Sequence, residues 1–413
     1  AITAIVVQAQ EPVITMTTSQ PNGSEVEFYL TSFGDNTLVM VDWGDGILED
    51  FRIGQSNTTI SGVTIGDAIK IYGPGITGLY ASNLSLTSLD IFEAISLTSL
   101  TVSNNQLQSL DISGNTNLQY LDCSRNQLET LSLTTNIKLE RISCFSNKLT
   151  TIDITSNAAL WKLDCSNNLM TTLNFSAITK NVDIDCSNNL LTSLTLGKKM
   201  SSVRCKNNAL TNLDVSQNTS LFLLDCSNNQ INSLNLSNNA NLQYLICSNN
   251  KLSSLDLSHN SSLTEVYCDN NKLTLATLPI KQTYWNVYSY NPQAIYSLPK
   301  KTYETGESID LSSQLSVNGV NSVYTWKTKG GQTLSAGTHF TATNGVFVFN
   351  SVPTDSVYCE ITNTDLTDIT LTTKAIMVTE PVPNVVITTA TAVGSTFNFI
   401  IGSLANDTPI QID

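Results

Sequence analysis

Apolar residues recur along most of this chain on two interleaved periods. Over 121–139 they fall at Leu121, Cys123, Leu128, Leu131, Leu133 and Leu139, with Asn126 and Asn136 at fixed points between them. The alternation of Leu121 and Cys123 predicts a short strand with one buried face. The longer beat is set by cysteine at 123, 144, 165, 186, 205, 226, 247 and 268, in steps of 21, 21, 21, 19, 21, 21 and 21. An asparagine follows each of them by three positions. Self-similarity at a period near twenty marks a solenoid, whose units bury their apolar sides only against one another. The unit reads L-x-C-x-x-N-x-L-x-x-L-x-L-x-x-N-x-x-L, and coils run from about 76 to 283. The first two are irregular, Val102 standing where Cys123 stands one period later. The 19-residue step, over 190–203, predicts a tightened return segment beneath an undisturbed strand ladder.

Outside the coils the alternation is that of ordinary strands. Residues 11–75 alternate at Val26, Phe28 and Leu30 and turn at Asp42-Trp43-Gly44-Asp45-Gly46, which predicts a small β domain capping the first coil. Tyr284, Trp285, Tyr288 and Tyr290 form an aromatic cluster suited to covering the last coil, so the solenoid with this cover spans 76–290. Residues 291–380 read as short strands again. Trp326 precedes Cys359 by 33 positions, the order of an Ig-like β-sandwich, but no cysteine stands where its earlier disulfide partner belongs. Val13–Asp42 returns as Val386–Asp413 with 10 identities in 28 aligned pairs, so 381–413 reads as the start of a second, truncated cap domain. Half a β domain cannot bury its core, and the natural chain is expected to continue. Residues 1–10 read either as a signal-peptide remnant or as the last strand of a preceding domain.

Within a coil, strand geometry turns Leu121 and Cys123 inward and Tyr120, Asp122 and Ser124 outward. The asparagine after each cysteine turns the chain, its amide satisfying backbone groups that lack a ladder partner. Equivalent cysteines in adjacent coils would lie ~4.8 Å apart. A disulfide wants Cβ atoms at ~3.8 Å, and a straight ladder does not converge on a tetrahedral metal. Cysteine is therefore read as a small buried hydrophobe.

Charge is sparse, at 13% of residues against roughly 25% in ordinary domains, and Ser, Thr and Asn replace it. A net charge of −14 excludes a nucleic-acid backbone as partner, and no apolar run reaches the ~18 residues of a membrane span. Catalytic motifs are absent from the sequence, and neither metal nor cofactor is expected. His259 and His339 are the only histidines, and Asp42 and Asp45 fit turn chemistry better than a calcium loop.

The repeat, as in Leu121 to Asn126 and Leu242 to Asn260, resembles the cysteine-ladder leucine-rich repeats of the internalin J type. More broadly it is similar to bacterial surface leucine-rich-repeat proteins flanked by β caps and Ig-like domains. The Trp43-Gly44-Asp45-Gly46 turn resembles that of PKD-like modules. The expected fold is mainly β with little helix: a leucine-rich-repeat solenoid between an N-terminal β cap and a C-terminal Ig-like sandwich. The resemblance implies a secreted or bacterial cell-surface protein that binds ligands of a host or neighbouring cell.

Outward positions are where such binding would sit. The column three before each cysteine holds Tyr120, Arg141, Lys162, Asp183, Ser202, Leu223, Tyr244 and Glu265. The column one before holds mostly Asp, but also Ile246 and Tyr267. Departures from the repeat carry the information. Phe222, Leu223, Tyr244, Ile246 and Tyr267 are candidate partner contacts, with Tyr120, Arg141, Phe145, Trp161 and Lys162 as a second group. The expected function is non-catalytic adhesion or binding by a monomer that recognises a protein or glycan. The alternative is a structural spacer in a larger surface protein.

Overall fold

The computed structural model describes residues 11–382 except Asp67 and Thr179. Its spine is a sheet of 13 strands. One edge is Thr58–Val63, paired antiparallel with Glu25–Ser32, which pairs antiparallel with Ile76–Tyr80. From there every step is parallel, through Ser99–Thr101, Tyr120–Asp122, Arg141–Ser143, Lys162–Asp164 and Val182–Asp185. Met200–Arg204, Leu223–Asp225, Tyr244–Ile246, Glu265–Tyr267 and Val287–Ser289 complete it. Most of these strands are only three residues long, because one inward leucine and the following cysteine suffice to fill the coil. Leu121, Cys123, Leu128, Leu133 and Leu139 are all buried. The sequence pattern thus becomes a cysteine-ladder leucine-rich-repeat solenoid, and the sole helical segment among the described residues is a 3-10 turn at Ser312–Gln314.

The N-terminal unit is built into the same sheet. A second sheet, ordered Leu48–Ile53, Thr37–Asp42, Ala68–Tyr72, Ile14–Thr18 and Leu86–Asp90, packs over its beginning. Ile14, Met16, Phe28, Leu30, Val39, Val41, Ile60 and Ile69 are fully buried between the two. Trp43 lies against Phe28 with ring centroids 6.1 Å apart. It also lies directly over Gly62, where a Cβ would stand 2.2 Å from the indole. The carbonyl of Leu86 accepts from Gln106 N (2.8 Å), so the second sheet hands over to the return side of the coils.

Two expectations are modified. The 19-residue step does not leave the ladder undisturbed: Val182 pairs with Met200 but Asp183 with Ser202, which leaves Ser201 as a bulge. The return side straightens there, Thr172–Asn174 pairing with Ser193–Thr195 as a small parallel sheet. A shorter loop spans the same coil only by extending. The aromatic cluster, in turn, does more than cover the last coil. Val287–Ser289 is itself a rung, with the Tyr288 ring 5.1 Å from Trp285 and 4.7 Å from Tyr290.

Beyond the coils, Val323–Thr328 pairs with Val357–Asn363 and the latter with Leu366–Thr372. Ser308–Asp310, Val346–Phe349 and Phe340–Thr343 form the facing sheet. Trp326 stands opposite Cys359 in register and is fully buried, 5.6 and 5.2 Å from the rings of Phe347 and Phe349. The second copy of the cap sequence at 386–413, and residues 1–10, lie outside the described residues.

Candidate functional site

Each coil is locked to the next from inside. Asn168 is representative: its Nδ2 donates to the carbonyls of Cys144 (3.1 Å), Cys165 (3.1 Å) and Ser166 (3.2 Å), and its Oδ1 accepts from Leu149 N (2.9 Å). One side chain thereby closes its own turn and joins it to the preceding coil. A second asparagine column, at 115, 136, 157, 218, 239 and 260, serves the return side differently. Asn157 Nδ2 donates to Leu133 O (3.2 Å) and Asn136 O (2.9 Å), while its buried Oδ1 has no partner. All nine cysteines are buried free thiols. Burial pushes Cys123 and Cys226 up to about 12, so the reactive thiolate is suppressed throughout the ladder.

The outward columns rest on this frame. The serine after each cysteine was expected to face solvent, yet Ser124, Ser166, Ser187, Ser227 and Ser248 are buried. For three of them the reason is local. Asp122 Oδ1 accepts from both Ser124 N (3.0 Å) and Ser124 Oγ (2.6 Å), and this Asp–Ser clasp recurs at Asp164 and Asp225. The usable face is therefore narrower than the alternation implied. Within it, burial raises the Asp164 carboxyl above the usual carboxylate range; the Ser166 hydrogen bonds oppose this, while Asp185, opposite it in register, adds to the rise.

Register brings one candidate group together. Leu223 stands opposite Tyr244, and Ile246 lies between Asp225 and Tyr267. These four are half-buried rather than freely exposed, because neighbours 21 positions away pack along the column. Phe222, 37% exposed, forms the rim. Tyr267 Oη donates to Glu265 Oε2 (3.1 Å); burial first, then this carboxylate, raises its pKa.

The second group divides in two. Tyr120, Arg141 and Lys162 share one column. The Arg141 guanidinium lies 5.3 Å over the Tyr120 ring and 5.4 Å over that of Trp161, itself 43% exposed. Phe145 sits at the other end of the strand and takes a different cation, Arg125, at 5.5 Å. Sequence reasoning missed Arg125. The signal was a break in a column of left-handed residues: Asn104, Asn167, Asn188, Asn207, Asn228, Asn249 and Asn270 have φ near 55°, and the same conformation is held by Ser146 and, as its one charged member, by Arg125 at 54°. It also missed Tyr29 and Tyr80, cross-strand partners that extend the aromatic face onto the N-terminal unit.

Clefts occur elsewhere. One of about 210 Å³ is lined by Val13, Pro74, Ile76 and Ile95. Another, of about 510 Å³, lies on the return side between Leu255, Pro279 and Trp285. In the cap, Asp42 Oδ1 accepts from Gly44 N (2.8 Å) and Gly46 N (2.9 Å), the chemistry of a turn. Among the described residues no cluster of three metal-binding side chains occurs, and no helix is long and apolar enough to cross a membrane.

No family model matches the chain, and no curated protein matches it in sequence. Solved structures similar to it include the functional domain of InlJ from Listeria monocytogenes, described as including a cysteine ladder. It is 22% identical, with a TM-score of 0.40, over 79% of this chain and 94% of that one. An internalin, InlF, from Listeria monocytogenes is 17% identical (TM-score 0.39), over 52% of this chain and 81% of the other. The leucine-rich-repeat domain of APL1B is 23% identical (TM-score 0.43), over 51% and 74%. The coils, their register and the stacked thiols make this chain a leucine-rich-repeat solenoid with a cysteine ladder.

Proposed function

We propose that the chain is a non-catalytic recognition protein, secreted or displayed on a bacterial surface, that engages a protein or glycan through the outward face of its long sheet. The observation that carries this reading is the grouping of Phe222, Leu223, Tyr244, Ile246 and Tyr267 on that face. A purely structural coil has the Asp–Ser clasp available at the Ile246 and Tyr267 positions and gains nothing from half-exposed tyrosines. The flanking units would be a PKD-like cap and an Ig-like sandwich that present the solenoid. Burial of every thiol suits an oxidising exterior, where exposed cysteine would be oxidised or cross-linked.

The test is binding of the whole chain to protein and glycan arrays, beside a Tyr244→Ala, Tyr267→Ala double variant of unchanged melting temperature. Specific binding that the double variant loses supports the reading. Failure of the wild-type chain to bind any arrayed partner favours the spacer, a role to which the unbroken sheet is also suited.

A further inference from the structure

The face over coils 120–162 departs from the repeat in charge as well as in aromatic content. We propose that it binds an acidic polysaccharide in which uronic acids alternate with neutral sugars. Carboxylates would meet Arg141 and Arg125, and sugar rings would lie against Trp161 and Phe145. This rests on the reading of the outward sheet face as a recognition surface and narrows the ligand at one part of it.

The cations are unspent. Among the described residues the ion pairs are Lys300–Glu307 and Lys327–Glu360, so Arg125, Arg141 and Lys162 make none. Neither guanidinium donates a hydrogen bond within the protein, although each is held in place by an aromatic ring. A stacked guanidinium has already lost its rotamer freedom while keeping its planar donor fork, which is matched to a carboxylate. Two stacked guanidiniums and the unpaired Lys162 on one area are notable in a chain of net charge −14. Arg125 adds a second, independent sign. It holds a left-handed conformation that seven other coils give to asparagine and one to Ser146, so that it alone places a charge there, and its guanidinium reaches the Phe145 ring.

Geometry favours sugar over peptide. Arg141–Ser143 is paired on both sides, to Tyr120–Asp122 and to Lys162–Asp164, so no strand edge is open to an added peptide. Neither cleft described above lies on this face to seat a helix. Recognition is left to side chains, and aromatic faces beside guanidinium forks suit the C–H faces and carboxylates of uronic sugars. Arg141 opens its strand and Phe145 lies just beyond its end, a short reach that a few linked sugars span. Asp122 and Asp164 flank the cations in the next column, so a chain with a carboxylate on every ring is repelled where one with spaced carboxylates is not.

The test measures binding of the full chain to hyaluronan (alternating carboxylates), polygalacturonate (contiguous), dextran (neutral) and poly-glutamate. Hyaluronan is expected to bind best and to weaken as salt rises. Arg141→Met should cost tenfold or more in affinity. Arg125→Asn should cost several-fold even though it restores the repeat, and the return-side control Lys198→Met should cost nothing. Absence of hyaluronan binding overturns the proposal, as does binding indifferent to both arginine variants. Equal binding of poly-glutamate would overturn it in favour of an acidic protein partner. Hyaluronan binding kept by Arg141→Met but lost in the Tyr244→Ala, Tyr267→Ala variant would also sink it, while leaving the recognition face standing.

Discussion

The two sides of the same strands obey different rules. Inward, Leu, Cys and Asn repeat almost without change from coil to coil, since each contacts its own copy above and below and a substitution in one rung disturbs two neighbours. Outward, the same register places Tyr120 beside Arg141, Leu223 beside Tyr244 and Asp164 beside Asp185. Those side chains meet solvent on one side and tolerate variety. Uniformity therefore reports the frame, and variation reports whatever the frame is used for.

Substitutions can break this contrast, beginning inside. Asn168→Ala removes four hydrogen bonds at a buried position and strands Leu149 N, while the three carbonyls keep Asn147 Nδ2, Asn189 Nδ2 and Ser146 N as donors. A loss of roughly 2–4 kcal/mol is expected by urea denaturation, since the orphaned N–H costs about 1–3 and the lost bonds to the shared carbonyls add to it. Asn157→Ala should cost less, about 1–2 kcal/mol, because it loses two hydrogen bonds but strands no group, Leu133 O and Asn136 O keeping the N–H groups of Asn136 and Leu139. Equal costs would show that the two asparagine columns do the same work. Cys165→Ser places a hydroxyl in a fully buried slot and should cost about 1–2 kcal/mol; a neutral result would mean that the ladder carbonyls accept it.

On the outer side the effect is smallest and its sign reverses. The folded-state pKa of Asp164 lies above the unfolded value, so the folded state holds the proton more tightly and stability falls as pH rises through the interval between the two. Asp164→Asn keeps the acceptor for Ser166 and removes that penalty. Thermal melts should show the variant gaining over wild type above the carboxylate range and not below it. A uniform offset at all pH values would assign the effect to packing instead.

The architecture was legible because the cysteine–asparagine beat follows directly from coil-to-coil stacking. What escaped lay in side-chain choices that no period encodes. Ser124 seemed outward by strand alternation, but strand geometry ends at Asp122 and the clasp folds the serine in. Phe145 and Arg141 were read as one candidate group, yet the Phe145 ring meets a different cation, Arg125, while Arg141 lies over Tyr120. The grouping around Tyr244 could be read because the period sets the register of its two columns, Leu223 with Tyr244 and Ile246 with Tyr267. Arg125 could not, since its meaning lies in a backbone conformation rather than in a column of the face.

The unbroken 13-stranded sheet also sets how the molecule answers a mechanical load. Its strands lie across the long axis, so tension between the ends pulls along the hydrogen bonds and opens one rung at a time instead of shearing many together. Each 21-residue coil that peels away releases roughly 70 Å of chain at 3.3–3.6 Å per residue. Stretched singly, the protein should lengthen in a train of small, even steps and yield at low force. A tether of this kind dissipates a tug coil by coil, and refolds the same way when the tension drops.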